Sequence, residues 1–80
     1  LEEKMNVNIR YLAAPSVEKA YVAKWLKQEG EWVKKGELLA TVETCKVLSD
    51  VKAPCDGILT SIFFESNSYV NVYEDIAIIE

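Results

Sequence analysis

Short apolar runs, broken by turn-forming residues every eight to twelve positions, extend along the whole of this 80-residue chain. Apolar residues do not recur at the 3.6-residue spacing of a helix, and β-branched types are dense, with nine Val, six Ile and three Thr. That combination predicts a small all-β sandwich or barrel. Strands are expected over roughly 6–14, 20–27, 38–43, 48–53, 57–64 and 75–80, with short extended pieces near 32–33 and 69–72. Turn signals fall at Pro15-Ser16, Gly30, Lys35-Gly36, Thr44–Lys46, Pro54–Gly57 and Ser66-Asn67-Ser68.

The pattern repeats. A shift of 37 residues lays Tyr21-Val22 on Ile58-Leu59, Trp25-Leu26 on Ile62-Phe63, Trp32-Val33 on Tyr69-Val70, and Leu39, Ala40, Val42 and Glu43 on Ile76, Ala77, Ile79 and Glu80. Gly30 falls on Asn67, and these are the two residue types that best tolerate a positive φ. With a further offset of two, Ala14-Pro15 falls on Ala53-Pro54. Two such copies, neither able to bury its apolar face alone, are expected to close on each other about a pseudo-twofold axis. The link between them is 44–53. Glu43 and Glu80 then belong at opposite ends of the domain, and most of Leu39, Ala40, Val42, Ile76, Ala77 and Ile79 in the core. Trp25, Trp32, Tyr21 and Tyr69 are read as core and rim packing, with Trp32 part-exposed.

Composition narrows the function classes. Eighty residues make one domain. The net charge of −4 argues against a nucleic-acid partner, since phosphate binding needs a basic face. Lys24, Lys27, Lys34 and Lys35 are interleaved with Glu29, Glu31 and Glu37, which reads as a solvated mixed surface. No apolar run approaches the ~20 residues of a membrane span, so no membrane role is expected. Leu1-Glu2-Glu3-Lys4-Met5 is too short and charged for a secretion signal. Residues 1–5 are read as a linker or vector remnant and 6–80 as the domain. The chain has no histidine and two cysteines, Cys45 and Cys55, whose spacing matches no zinc site. Reduced thiols in a cytosolic or organelle-matrix protein are expected.

What remains is one lysine. Thr44-Cys45-Lys46-Val47 joins two segments of strand composition, midway between the repeats. A lysine at such a hairpin tip holds its ammonium in solvent on a flexible four-carbon stem. Its pKa near ~10.4 makes it a poor spontaneous nucleophile, so an enzyme would have to acylate it. Once acylated, stem and acyl chain form one long arm. Lys46 is therefore the candidate attachment point of a swinging cofactor, with Glu43, Thr44, Cys45 and Val47 as the turn that partners read. No catalytic constellation and no metal site accompany it, and the domain is expected to be a non-catalytic carrier.

The surrounding residues carry a family resemblance. Lys24-Trp25-Leu26, then Glu29-Gly30-Glu31-Trp32-Val33-Lys34-Lys35-Gly36-Glu37-Leu38-Leu39-Ala40, then Val42-Glu43-Thr44-Cys45-Lys46-Val47, then Ala53-Pro54-Cys55-Asp56-Gly57-Ile58 are together similar to the lipoyl domain of 2-oxo acid dehydrogenase complexes, in the biotinyl/lipoyl carrier superfamily. The resemblance covers roughly 7–80. It implies a flattened β-barrel, or barrel-sandwich hybrid, of two four-stranded antiparallel sheets with a pseudo-twofold repeat, and lipoate in amide linkage to Lys46. It also implies a set of partners: a lipoate ligase or lipoyl transferase, a thiamine-dependent 2-oxo acid decarboxylase, an acyltransferase domain and dihydrolipoamide dehydrogenase. The implied location is the bacterial cytoplasm or the mitochondrial matrix. Four positions depart from the pattern. Cys45 stands for an aspartate, and Ala20, Ser66 and Tyr73 for glycines. The alternatives are a biotin carboxyl carrier domain, whose lysine is flanked by methionines that Cys45 and Val47 are not, and an unmodified interaction domain of the same fold.

Overall fold

The computed structural model describes residues 4–44 and 47–80. Eight strands form: β1 (Met5–Asn8), β2 (Lys19–Trp25), β3 (Trp32–Val33), β4 (Leu38–Thr44), β5 (Val47–Lys52), β6 (Gly57–Ile62), β7 (Ser68–Asn71) and β8 (Asp75–Ile79). They build two four-stranded antiparallel sheets, in the orders β1-β8-β6-β3 and β5-β4-β2-β7. Stacked face to face, these are the two walls of a flattened barrel-sandwich.

The internal repeat is written into the hydrogen-bond register. Replacing β1, β2, β3 and β4 by β5, β6, β7 and β8, and the reverse, turns one sheet order into the other. Tyr21 pairs with Glu43, and 37 residues on Ile58 pairs with Glu80 through N–H···O bonds of 2.8 and 2.9 Å. The bulge between Val22 and Lys24 against β4 recurs between Leu59 and Ser61 against β8. Gly30 N–H donates to Leu59 O and Asn67 N–H to Val22 O. Gly30 has φ +94° and Asn67 φ +66°, so the two matched turns use the two residue types expected there.

Burial follows the same symmetry. Val7/Val51, Ile9/Ala53, Ala20/Gly57, Val22/Leu59, Val33/Val70, Leu39/Ile76, Ala40/Ala77 and Val42/Ile79 are all buried, and each pair occupies matching places in the two halves. Fully burying side chains of this size stabilises by about 1.5–3 kcal/mol each for Val, Leu and Ile. The core holds no aromatic side chain among the described residues. Among the described residues one buried apolar side chain has no buried image: Val72 corresponds to the exposed Lys35.

The first strand departs from expectation. Residues 6–14 do not form one strand; β1 ends at Asn8, opposite Asp75, where β8 begins. Beyond it Ile9 leaves the extended region (φ −119°, ψ 10°) and Arg10–Leu12 form a 3-10 turn, with Leu12 N–H bonded to Ile9 O. The alternation Val7, Ile9, Tyr11, Ala13 imitates a longer strand, but no backbone lies alongside to pair with it. The match of Ala14-Pro15 to Ala53-Pro54 is likewise not structural. Val7 faces Ala77 as Val51 faces Ala40, an offset of 44 that makes Ile9 the counterpart of Ala53. Ala14 is exposed whereas Ala53 is buried. The β1–β2 connection is thus seven residues longer than its image between β5 and β6. Met5, read with the preceding linker, opens β1 opposite Ile79.

Candidate functional site

β4 and β5 pair from Leu38↔Lys52, across a register shift between Leu38 and Ala40, through Thr41↔Asp50, Val42↔Ser49 and Glu43↔Leu48 to Thr44↔Val47. Two residues of sequence, Cys45 and Lys46, connect the last pair, and the readings of Lys46 as attachment point and of Cys45 as part of the recognised turn lie outside the described residues. The three flanking residues named from sequence are described. Glu43 is exposed. Thr44, expected in the turn, is the last residue of β4 and is buried at 6% exposure. Val47 opens β5 with 59% of its surface exposed. Strand alternation turns Val42 and Thr44 inward and Glu43 outward, whereas Val47, paired with Thr44, is exposed at the end of the ladder.

This hairpin stands at the opposite end of the strands from Glu80. Lys19 pairs with Asn71, two positions beyond the Tyr21–Glu43 level in the direction of Thr44. A short turn, with Glu74 N–H bonded to Asn71 O, leads to Asp75, and β8 then runs away from the hairpin to Ile79. The connections that share the lysine end are therefore 9–18 and 72–74.

Across the outer face of the second sheet, the register aligns Tyr69, Tyr21, Glu43 and Leu48 in one row. Tyr69 is 74% exposed and Leu48 62%. The Tyr21 and Tyr69 rings lie 5.0 Å apart at 60°, a tilted pairing that suits their quadrupoles, and Tyr21 Oη donates to Asn67 Oδ1 at 2.8 Å. Sequence had placed these tyrosines with packing residues. Tyr69 instead points outward, Trp32 is exposed at the matching place in the other half, as expected of it, and Trp25 is half-buried with its indole N–H donating to Phe64 O. Alternation around the buried Val70 and Val33 was the available signal.

A covalent arm needs a tether whose surroundings leave it accessible. The described neighbours meet that test, because Glu43, Val47 and Leu48 all face solvent beside the connecting dipeptide. Cys55 is a free, half-buried thiol in the β5–β6 turn, a full strand away from the hairpin. Among the described residues no group of three or more Cys, Asp or Glu is placed to hold a metal ion, and no helix is long and apolar enough to cross a membrane.

Residues 12–79 match the biotin/lipoyl family, described as "Biotin-requiring enzyme". The chain belongs to this family. The biotin/lipoyl domain is 48% identical over 61 residues to the dihydrolipoyllysine-residue succinyltransferase component of the 2-oxoglutarate dehydrogenase complex of Rickettsia felis, covering 76% of this chain and 15% of that one. It is 38% identical over 65 residues to the probable mitochondrial counterpart in Schizosaccharomyces pombe (81% and 14%). It is also 38% identical over 64 residues to the biotin carboxyl carrier protein of acetyl-CoA carboxylase of Streptococcus pyogenes (80% and 36%). Among solved structures it is similar to the lipoyl domain of the 2-oxoglutarate dehydrogenase complex from Azotobacter vinelandii, with TM-score 0.75 and 28% identity over 99% of this chain and 96% of that one. The domain spans about one-seventh of the length of the succinyltransferase relatives.

Proposed function

We propose that the chain is a lipoyl carrier domain, with lipoate in amide linkage to Lys46, that moves acyl groups between the active sites of a 2-oxo acid dehydrogenase complex. The observation that carries this reading is the ladder ending at Thr44↔Val47, because it leaves the dipeptide Cys45-Lys46 as the whole connection between the repeats. Residues 6–80 serve as the carrier unit. Lipoate bound there supplies a dithiolane that is reductively acylated and later releases its acyl group to coenzyme A. The domain's own part is mechanical and recognitional. The inward Thr44 and Val42 fix the end of β4 to the core, and the exposed Glu43 and Val47 present charge and shape on either side of Lys46. Catalysis lies with the partners: a thiamine-dependent decarboxylase, an acyltransferase domain and dihydrolipoamide dehydrogenase, after a lipoate ligase or lipoyl transferase has loaded the lysine. The bacterial and mitochondrial relatives support a location in the bacterial cytoplasm or the mitochondrial matrix.

The biotin-carrier relative gives the alternative its support. Against it stand Glu43-Thr44 before the lysine and the lack of methionine on either side, Met5 being the only one in the chain. Incubation with ATP, a lipoate ligase and lipoate, in parallel with biotin ligase and biotin, followed by intact-mass measurement and peptide mapping, separates the readings. Lipoyl mass on Lys46, lost in Lys46→Ala, is expected. Biotin at Lys46, or lipoyl mass on another lysine, overturns the proposal.

A further inference from the structure

Where the pseudo-twofold symmetry fails, the failures cluster. The seven additional residues of the β1–β2 connection, the one core residue without a buried image (Val72) and Tyr73 in place of the matching Gly36 all meet in one groove. Its volume is about 340 Å³, and Tyr11, Ala14, Pro15, Val17, Val72 and Tyr73 are among the residues lining it. At the opposite end, the image of the connection is the short 53–56 turn, where Lys35 N–H is bonded by Asp56 Oδ1 at 2.6 Å. The groove is thus a feature of the lysine end alone.

Its place is set by the register. Val72 N–H bonds to Glu18 O, one residue beyond the Lys19–Asn71 pair, which lies two positions past the Tyr21–Glu43 level toward the Thr44 end of β4. β2 and β7 lie one and two strands over from β4, so at about 4.8 Å per strand the groove is on the order of 10 Å from the hairpin. A lysine stem plus an eight-carbon acyl chain, about eleven bonds of about 1.5 Å, extends roughly 14 Å. The arm is long enough to reach, and its methylenes and dithiolane are apolar, as are most of the side chains lining the groove, Arg10 being the one charged residue among them.

We infer that this groove is a resting site for the lipoyl arm of Lys46, holding the dithiolane against Tyr11, Tyr73, Val17 and Val72 when no partner enzyme is engaged. The inference rests on lipoylation of Lys46 and adds an intramolecular equilibrium between a docked and a free arm. Docking withdraws the ring from water and from small reductants. A partner must then outcompete the groove, so the carrier's own surface sets how long the arm stays retracted.

The test uses the whole domain, lipoylated enzymatically and verified by mass at Lys46. NMR should show cross-relaxation between dithiolane protons and the rings of Tyr11 and Tyr73. Lipoylation should also shift the methyl resonances of Val17 and Val72. Tyr11→Ser with Tyr73→Ser removes two exposed side chains, at 65% and 58% exposure, so the fold is expected to persist, as a thermal melt would verify. If the arm is docked about two-thirds of the time, this double variant speeds reduction of the ring by a water-soluble phosphine roughly three-fold. Shifts confined to 43–48, or equal reduction rates in wild type and variant, overturn the resting site while leaving lipoylation intact. A domain that takes no lipoate on Lys46 overturns the reading of the preceding section and this one with it.

Discussion

Gly57 lies where the last residue of the chain folds back onto β6, and adding one methyl there tests whether that junction is rigid. Gly57 has φ +154°, and a Cβ built on it falls 2.5 Å from Glu80 O and 2.8 Å from Ile79 Cγ2. The oxygen is backbone and already accepts the Ile58 N–H at 2.8 Å, so it cannot swing aside as a side chain would. Positive φ costs a residue with a Cβ about 1–2 kcal/mol, and overpacking of this kind adds about 1–3 kcal/mol. Relieving the contact by displacing Glu80 gives up its two bonds to Ile58, at about 1 kcal/mol each. Gly57→Ala is therefore expected to destabilise by about 2–4 kcal/mol, which for a domain this size lowers Tm by roughly 10–25 °C. The symmetric position supplies the control. Ala20 already carries a Cβ and is not among the positive-φ residues, so Ala20→Gly loses only one buried methyl and some chain stiffness, about 1–2 kcal/mol. Urea and thermal melts of both variants decide the matter. A Gly57→Ala domain within ~0.5 kcal/mol of wild type would refute the reasoning.

Other expectations follow from single positions. Val42→Asp and Ile79→Asp each place an unpaired charge at a site with no solvent exposure, and both are expected to abolish the cooperative melt. Asn67→Gly keeps the positive φ of +66° and should lose only the bond from Tyr21 Oη, about 1 kcal/mol, whereas Asn67→Val should cost about 1–2 kcal/mol more than Asn67→Gly in a denaturant titration. The Glu37 carboxyl is held below its usual range, first by the Lys34 backbone N–H and then by Lys27, 3.1 Å away. A depressed carboxylate stabilises above its unfolded pKa of about 4.5 and loses that contribution as pH falls through its lower folded value, so Glu37→Gln should shallow the acid limb of stability below that pH. Cys45→Asp restores an acidic neighbour to Lys46, and the lipoylated variant should be reductively acylated faster than wild type by a decarboxylase that selects for aspartate; equal rates would place recognition elsewhere on the surface.

The repeat was legible because turn chemistry and core pattern agree. Gly30 and Asn67 mark matched turns, and the 37-residue shift that aligns Val22 with Leu59 also aligns the residues opposite them in register, Val42 and Ile79. The first fifteen residues misled for a physical reason. Alternation says which side chains could share a face but not whether a neighbouring strand exists, and β8 begins only at Asp75. The outward Tyr21 and Tyr69 were hidden because bulky aromatics read as core until the register puts both on the solvent side of one sheet. Of the described flanks, Glu43 and Val47 are exposed, while Thr44 is a polar residue that alternation turns inward. The groove beside the lysine end could not be read at all, since it arises from where a long connection settles over Val72.

Each repeat contributes two strands to each sheet, so residues 4–44 contain one adjacent strand pair, β2 with β4, while β1 and β3 find their partners only in the second half. Most of the barrel is thus closed by pairings of high sequence separation, a topology that folds slowly and in one step because no half gains much before the other arrives. It also means that proteolytic cleavage between Thr44 and Val47 would sever the chain without parting the halves. The two fragments would remain interleaved through both sheets and melt together as a noncovalent pair.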